Sequence, residues 1–162
     1  MISDWVRERT RRFLEPLAEL IGRTGVPPNL LTSVGCLLHL GVAYALAVGH
    51  LRTGGFLLAI AGLFDAFDGA LARSTNRASR FGAFLDSTLD RFSEAIVYLG
   101  LLSFYLDRGA KLESLLVYIA IVGSLMVSYT RARAESLGIE CKVGFLTRFE
   151  RIIILILGLL TR

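Results

Sequence analysis

Cysteine is scarce in this chain of 162 residues, which holds only Cys36 and Cys141. Two thiols, one in an apolar block and one in a polar loop, suggest neither a disulfide framework nor a thiolate metal site. Proline is confined to the start: Pro16, Pro27 and Pro28 are the only three. No cleavable signal is expected in residues 1–28, which are charged and contain no uninterrupted apolar stretch. No internal repeat and no low-complexity segment is visible, which excludes solenoid and linker-rich architectures. At this length one domain is expected.

What the sequence has in quantity is apolar surface. Hydrophobic residues make up 54% of the chain and the mean hydropathy is +0.59. They fall in blocks at roughly 29–49, 54–73, 81–106, 112–134 and 150–160. The first four are long enough to cross a hydrocarbon core of about 30 Å, which takes about 20 helical residues. Membrane strands are shorter and alternate in polarity, so they do not fit. The fold class expected is all-α, a polytopic membrane helical bundle. The fifth block is short, nine apolar residues from Ile152 to Leu160, and lengthening it back to Gly144 brings Arg148, Glu150 and Arg151 into its inner end.

The formal net charge is +4. Of the eighteen basic residues only Arg52, Arg108, Lys111 and Arg162 lie outside residues 1–28, 73–91 and 131–151. The positive-inside rule then puts the N-terminus and those three segments in the cytoplasm. Topology and anionic headgroups account for the basic balance, so no nucleic-acid partner is expected. Residues 4–21 place Val6, Phe13, Leu14, Leu17, Leu20 and Ile21 at helical spacing beside Trp5 and several arginines. This reads as an interfacial helix, kinked at Pro16, with a solvated basic tail as the plainer reading. The domain organisation expected is 1–28 as cytoplasmic interfacial helix and linker, and 29–162 as the membrane domain, with Asn29 capping its first helix.

Carboxylates inside this apolar sequence are the informative feature. Asp65 and Asp68 are three residues apart, and Asp86 and Asp90 four, so each pair shares one face of its helix. The short connection from Ser74 to Arg80 makes the two helices antiparallel neighbours. Counting at 1.5 Å per residue from the inner ends near Arg73 and Arg80, Asp68, Asp86, Asp65 and Asp90 lie about 8, 9, 12 and 15 Å deep. Four ionised carboxylates at similar depth repel and are costly. Arg73 and Arg91 offset part of the charge, and two divalent cations would cancel a formal −4. Paired ions are also the usual device for phosphoryl displacement. Gly69, Ala72 and Gly82 continue the same faces without filling them, which permits close approach of a ligand or a helix. Arg73 can clamp a phosphate. A divalent-cation transporter is the non-enzymatic alternative, and helix-end charges paired with arginines are the structural one.

The pattern D-G-x2-A-R-x8-G-x3-D-x3-D is met by Asp68, Gly69, Ala72, Arg73, Gly82, Asp86 and Asp90, with Asp65 three residues ahead. In this the chain resembles the CDP-alcohol phosphotransferases, and the likeness extends to the P-P-N-L-L-T run at 27–32 and the cytoplasmic loop. The resemblance implies transfer of a phosphoalcohol from a CDP-linked lipid to a hydroxyl acceptor with release of CMP. It implies that Asp65, Asp68 and Asp86 ligate two Mg²⁺ (or Mn²⁺) ions and that Asp90 is the general base. It further implies that Asp68, Gly69, Ala72, Arg73 and Gly82 bind the CDP-lipid. The family is typically a homodimer of six spans in the cell membrane of a prokaryote, with the active site on the cytoplasmic side. Five spans are visible here, so the chain is expected to lack the last.

The second half bears on the acceptor. Ser128-Tyr129-Thr130-Arg131-Ala132-Arg133-Ala134-Glu135 and Thr147-Arg148-Phe149-Glu150-Arg151 resemble segments of the branch that makes phosphatidylinositol phosphate and archaetidylinositol phosphate. In that branch the positions matching Arg131 and Arg151 bind the acceptor's phosphate. Arg148 is a weaker candidate, since Thr147 and Phe149 replace the usual glutamate and proline. Inositol 1-phosphate is the acceptor expected, a small phosphorylated polyol; glycerol 3-phosphate competes. Arg133 and Arg148 read more plainly as positive-inside residues. His39 and His50 are placed away from the carboxylates and given no role.

Overall fold

Five α-helices account for almost all of residues 28–74, 79–139 and 147–162, which the computed structural model describes. They are α1 (Pro28–Ala47), α2 (Leu51–Ser74), α3 (Arg80–Asp107), α4 (Lys111–Ser136) and α5 (Arg148–Leu160). The side chains of residues 28, 29, 31, 32 and 68–74 are outside that description. So are the expected interfacial helix at 4–21 and the loop residues 75–78 and 140–146, Cys141 among them. No strand occurs among the described residues, as the block pattern requires.

Helix ends follow local chemistry more closely than the apolar blocks. α1 starts at Pro28, a residue suited to a first turn because it has no N–H to satisfy. Asn29, expected as the cap, therefore sits inside that turn. Ser79 caps α3, its Oγ accepting from Gly82 N–H at 2.9 Å. α5 begins between the two starts weighed from sequence, at Arg148, because Thr147 and Glu150 form a capping box. The Thr147 N–H donates to Glu150 Oε2 at 2.7 Å. The threonine that departs from the family pattern thus acts as a helix start.

Two connections are only three residues long. Gly49 after α1 and Gly109 after α3 adopt φ of 90° and 64°, conformations costly for any residue with a Cβ. Such tight turns make α1 and α2, and α3 and α4, antiparallel neighbours. α1 lies against both α2 and α3; α4 packs on α3 and α5 on α2. The core runs along these contacts through Val42, Leu46, Leu58, Val97, Leu101 and Phe104. At Gly100 the backbones of α3 and α1 approach so closely that an added Cβ would lie 2.6 Å from Ala43 Cα.

The outer faces remain apolar. Tyr44, Phe56, Ile60, Leu99, Leu112 and Ile119 are all exposed, a pattern that soluble monomers avoid. By length and composition alone one described helix, Lys111–Ser136, is long and apolar enough to cross a membrane. At the turn end of the bundle, Arg162 donates to Tyr105 Oη at 2.7 Å and Arg108 lies 3.7 Å over the Phe104 ring. The carboxylates lie at the opposite end of α2 and α3.

Candidate active site

Asp65 projects from α2 between α1 and α5. Gly35 on α1 makes room for it: a Cβ there would stand 2.9 Å from Asp65 Oδ1. The other oxygen, Oδ2, accepts from Arg148 Nη2 at 2.8 Å. The same guanidinium reaches Asp90 Oδ1 on α3 through Nη1, also at 2.8 Å. One cation therefore ties α2, α3 and α5 together, and it demonstrates that carboxylates from two helices converge. Asp90 and Asp65 are mostly covered, at 25% and 17% exposed.

One turn further along both helices the arrangement repeats in a different form. Arg151 Nε and Nη2 donate to the two oxygens of Glu94, each at 2.8 Å. This is a bidentate pair, the strongest geometry for arginine and carboxylate. Both partners are nearly buried. Glu94 follows Asp90 by four residues, so Asp86, Asp90 and Glu94 form one acidic stripe on α3. Arg148 and Arg151 form the matching basic stripe on α5. Glu94 did not figure among the site residues expected from sequence, although its i, i+4 spacing from Asp90 signalled it.

His39 is the second omission. It was placed away from the carboxylates, yet its Nε2 lies 3.9 Å from Asp65 Oδ2 and the ring is 1% exposed. Counting depth along α2 and α3 alone could not show this, because the contact comes from α1.

The remaining site residues stand as follows. Asp86 is partly buried one turn before Asp90. Gly82 lies in the first turn of α3, its N–H held by Ser79. The side chains of Asp68, Gly69, Ala72 and Arg73 fall outside the described residues. Arg91 folds back to donate to the Ser87 carbonyl of its own helix. Arg131 is exposed and pairs with Glu135 at 3.1 Å. Among the described residues no group of three or more histidine, cysteine or carboxylate side chains is close enough to enclose a metal. The donor chemistry nevertheless fits one. Hard carboxylate oxygens from two helices already share a cation, and their charge exceeds that of the guanidinium between them.

Comparison with known proteins decides the chemistry. Residues 26–161 match the model of the CDP-alcohol phosphatidyltransferase family. The chain belongs to that family. It is thus a phospholipid-synthesising transferase of a membrane-integral family, and the transporter reading falls. The archaetidylinositol phosphate synthase of Methanothermobacter thermautotrophicus is 45% identical over 148 residues, covering 91% of this transferase and 72% of that protein. The crystal structure of Mycobacterium tuberculosis phosphatidylinositol phosphate synthase with CDP-DAG bound superposes with a TM-score of 0.83 at 35% identity. It covers 92% of this chain and 76% of that one. The same M. tuberculosis enzyme in complex with manganese and citrate gives a TM-score of 0.80 at 35% identity, covering 90% and 70%.

Proposed function

We propose that the chain transfers a phosphatidyl-type group from a CDP-linked lipid, CDP-diacylglycerol or CDP-archaeol, to a hydroxyl of inositol 1-phosphate and releases CMP. The observation that carries this reading is the meeting of Asp65 and Asp90 on one guanidinium beside a second arginine–carboxylate pair. Acidic groups able to hold cations and arginines suited to an anionic acceptor lie within one turn of each other on α3 and α5. Relatives named as synthases of the two inositol-phosphate lipids support the choice of acceptor.

In this proposal Asp65, Asp68 and Asp86 hold two divalent ions, Mg²⁺ or Mn²⁺. The ions would neutralise the pyrophosphate and the departing CMP, the main requirement in phosphoryl transfer. Asp68, Gly69, Ala72, Arg73 and Gly82 bind the CDP-lipid, Arg73 through its phosphates. Asp90 accepts the proton of the acceptor hydroxyl as that oxygen attacks the lipid-bearing phosphorus. Arg148 orients Asp90 by fixing one of its oxygens.

The acceptor's phosphate is assigned to Arg131, Arg151 and, more weakly, Arg148. Arg131 is the readiest of the three, because an exposed pair such as Arg131–Glu135 contributes little and is easily exchanged. Arg151 is held by Glu94 and supplies positive potential from a fixed position.

All five helices are assigned to the membrane in a prokaryotic cell membrane, with the N-terminus and the carboxylate end cytoplasmic. Exposed apolar faces on every helix support the first part, and the distribution of arginines supports the second. Residues 1–28 lie along the surface, and residues 29–162 form the catalytic domain, acting as a homodimer. The test is an acceptor panel of inositol 1-phosphate, glycerol 3-phosphate, serine and free inositol, scored by CMP release from CDP-lipid in detergent. CMP release with inositol 1-phosphate is expected; release with glycerol 3-phosphate alone would replace the acceptor and keep the transferase.

A further inference from the structure

His39 carries an unspent lone pair at the edge of the proposed metal site. Its Nδ1 lies 2.8 Å from the Gly35 carbonyl oxygen one turn earlier in α1. A carbonyl only accepts, so Nδ1 bears a proton, and in the neutral imidazole Nε2 then presents its lone pair. Nε2 is buried and has no hydrogen-bond partner. A buried nitrogen without a partner is costly and rare, and it calls for an explanation.

What Nε2 faces is a carboxylate oxygen. Asp65 Oδ2 stands 3.9 Å away, beyond the roughly 3.2 Å limit of a good hydrogen bond. Two acceptors facing each other attract nothing until something positive lies between them. Nitrogen and oxygen ligands each sit about 2.1 Å from a small divalent ion. Two such donors are then about 3.0 Å apart at a right angle and about 4.2 Å apart when opposite, from the same bond lengths. The separation of His39 and Asp65 falls inside that interval. Arg148 Nη2 donates to the same oxygen at 2.8 Å, and its Nε is likewise buried without a partner.

We propose that His39 Nε2 ligates a divalent ion together with Asp65, adding an imidazole nitrogen to the carboxylates of the metal site. This rests on the assignment of Asp65 as a metal ligand under the proposed function. The consequence is one of metal selectivity. Oxygen-only sites suit Mg²⁺ and Mn²⁺, whereas an imidazole favours Zn²⁺, Fe²⁺ or Ni²⁺. The Nδ1–H bond to Gly35 fixes the tautomer and aims the ring, as outer partners do for metal-bound histidines.

The experiment is electron spin-echo spectroscopy of the full chain in detergent loaded with Mn²⁺ alone. A directly bound ¹⁴N signal is expected, changing to the ¹⁵N pattern when histidine is isotopically labelled. In His39→Ala the nitrogen signal should vanish, and the ratio of Zn²⁺ to Mg²⁺ affinity should fall at least about tenfold, since losing even a ligand's hydrogen-bond partner commonly costs that much. Bound Mn²⁺ with no nitrogen signal in the unaltered protein overturns the His39 assignment and leaves the carboxylate site standing. Mn²⁺ binding that survives Asp65→Asn undiminished overturns the underlying site as well. Because the unaltered protein alone yields the nitrogen signal, the result does not depend on how well the variant folds.

Discussion

Arg148 and Arg151 stand one turn apart on α5 and meet carboxylates in opposite ways. Arg151 makes a bidentate pair with Glu94, so those two charges cancel. Arg148 is divided between Asp65 and Asp90, and two acids on one base leave a negative balance. The first arrangement is suited to hold helices together. The second still attracts cations, which is what a metal-using transferase needs. Residue types do not distinguish the two regions; the ratio of acids to bases does.

The largest expected effect comes from the unbalanced side. Asp90→Asn should lower CMP release by about three orders of magnitude, within the range for loss of a general base. Binding of CDP-lipid and Mn²⁺, measured by calorimetry, should stay near normal. Metal binding that fell as far as in Asp65→Asn would turn Asp90 into a ligand and erase its separate role.

On the balanced side, Arg151→Met should cost about 3–5 kcal/mol of stability, because it strands a buried glutamate. Thermal or denaturant unfolding in detergent checks this. The double variant Glu94→Gln with Arg151→Met should recover most of the loss, and failure to recover would mean that Arg151 holds the fold by some other contact.

Arg148→Gln sharpens the contrast. Removing the shared cation should reduce turnover about tenfold by freeing Asp90. It should also tighten Mn²⁺ binding a few-fold, since a charge 2.8 Å from Asp65 no longer competes. Weaker Mn²⁺ binding would show that Arg148 organises the ligands instead of competing with metal. The smallest effect is expected from Gly35→Ala. Its new methyl would press on Asp65 Oδ1 and should weaken metal affinity several-fold, measured by titration, with little change in unfolding.

How far the sequence reveals this depends on whether a contact lies within a helix or between helices. The helices themselves and the faces of Asp86 and Asp90 follow from apolar runs and i, i+4 spacing, which are local. Helix ends are local too, yet the start of α5 went unread, because its signal is the single pairing of Thr147 with Glu150. Asp65 with Arg148 spans 83 residues, and no periodicity within one helix shows which helix lies opposite. The acidic stripe at Asp90 and Glu94 and the basic stripe at Arg148 and Arg151 could have been matched as complementary faces. His39 offered no such pattern, and only the packing of α1 on α2 brings it to Asp65.

That span of 83 residues also has a bearing on biosynthesis. At a synthesis rate of roughly 5–20 residues per second, Arg148 follows Asp65 by roughly 4–17 seconds. From Asp90 to Arg148, 58 residues or roughly 3–12 seconds, both carboxylates have been made without their shared base. The newborn protein thus passes through a stage in which both carboxylates lack the base that α5 brings. A pause in translation before Thr147 would hold the chain there, making α5 a late step in maturing the catalytic centre.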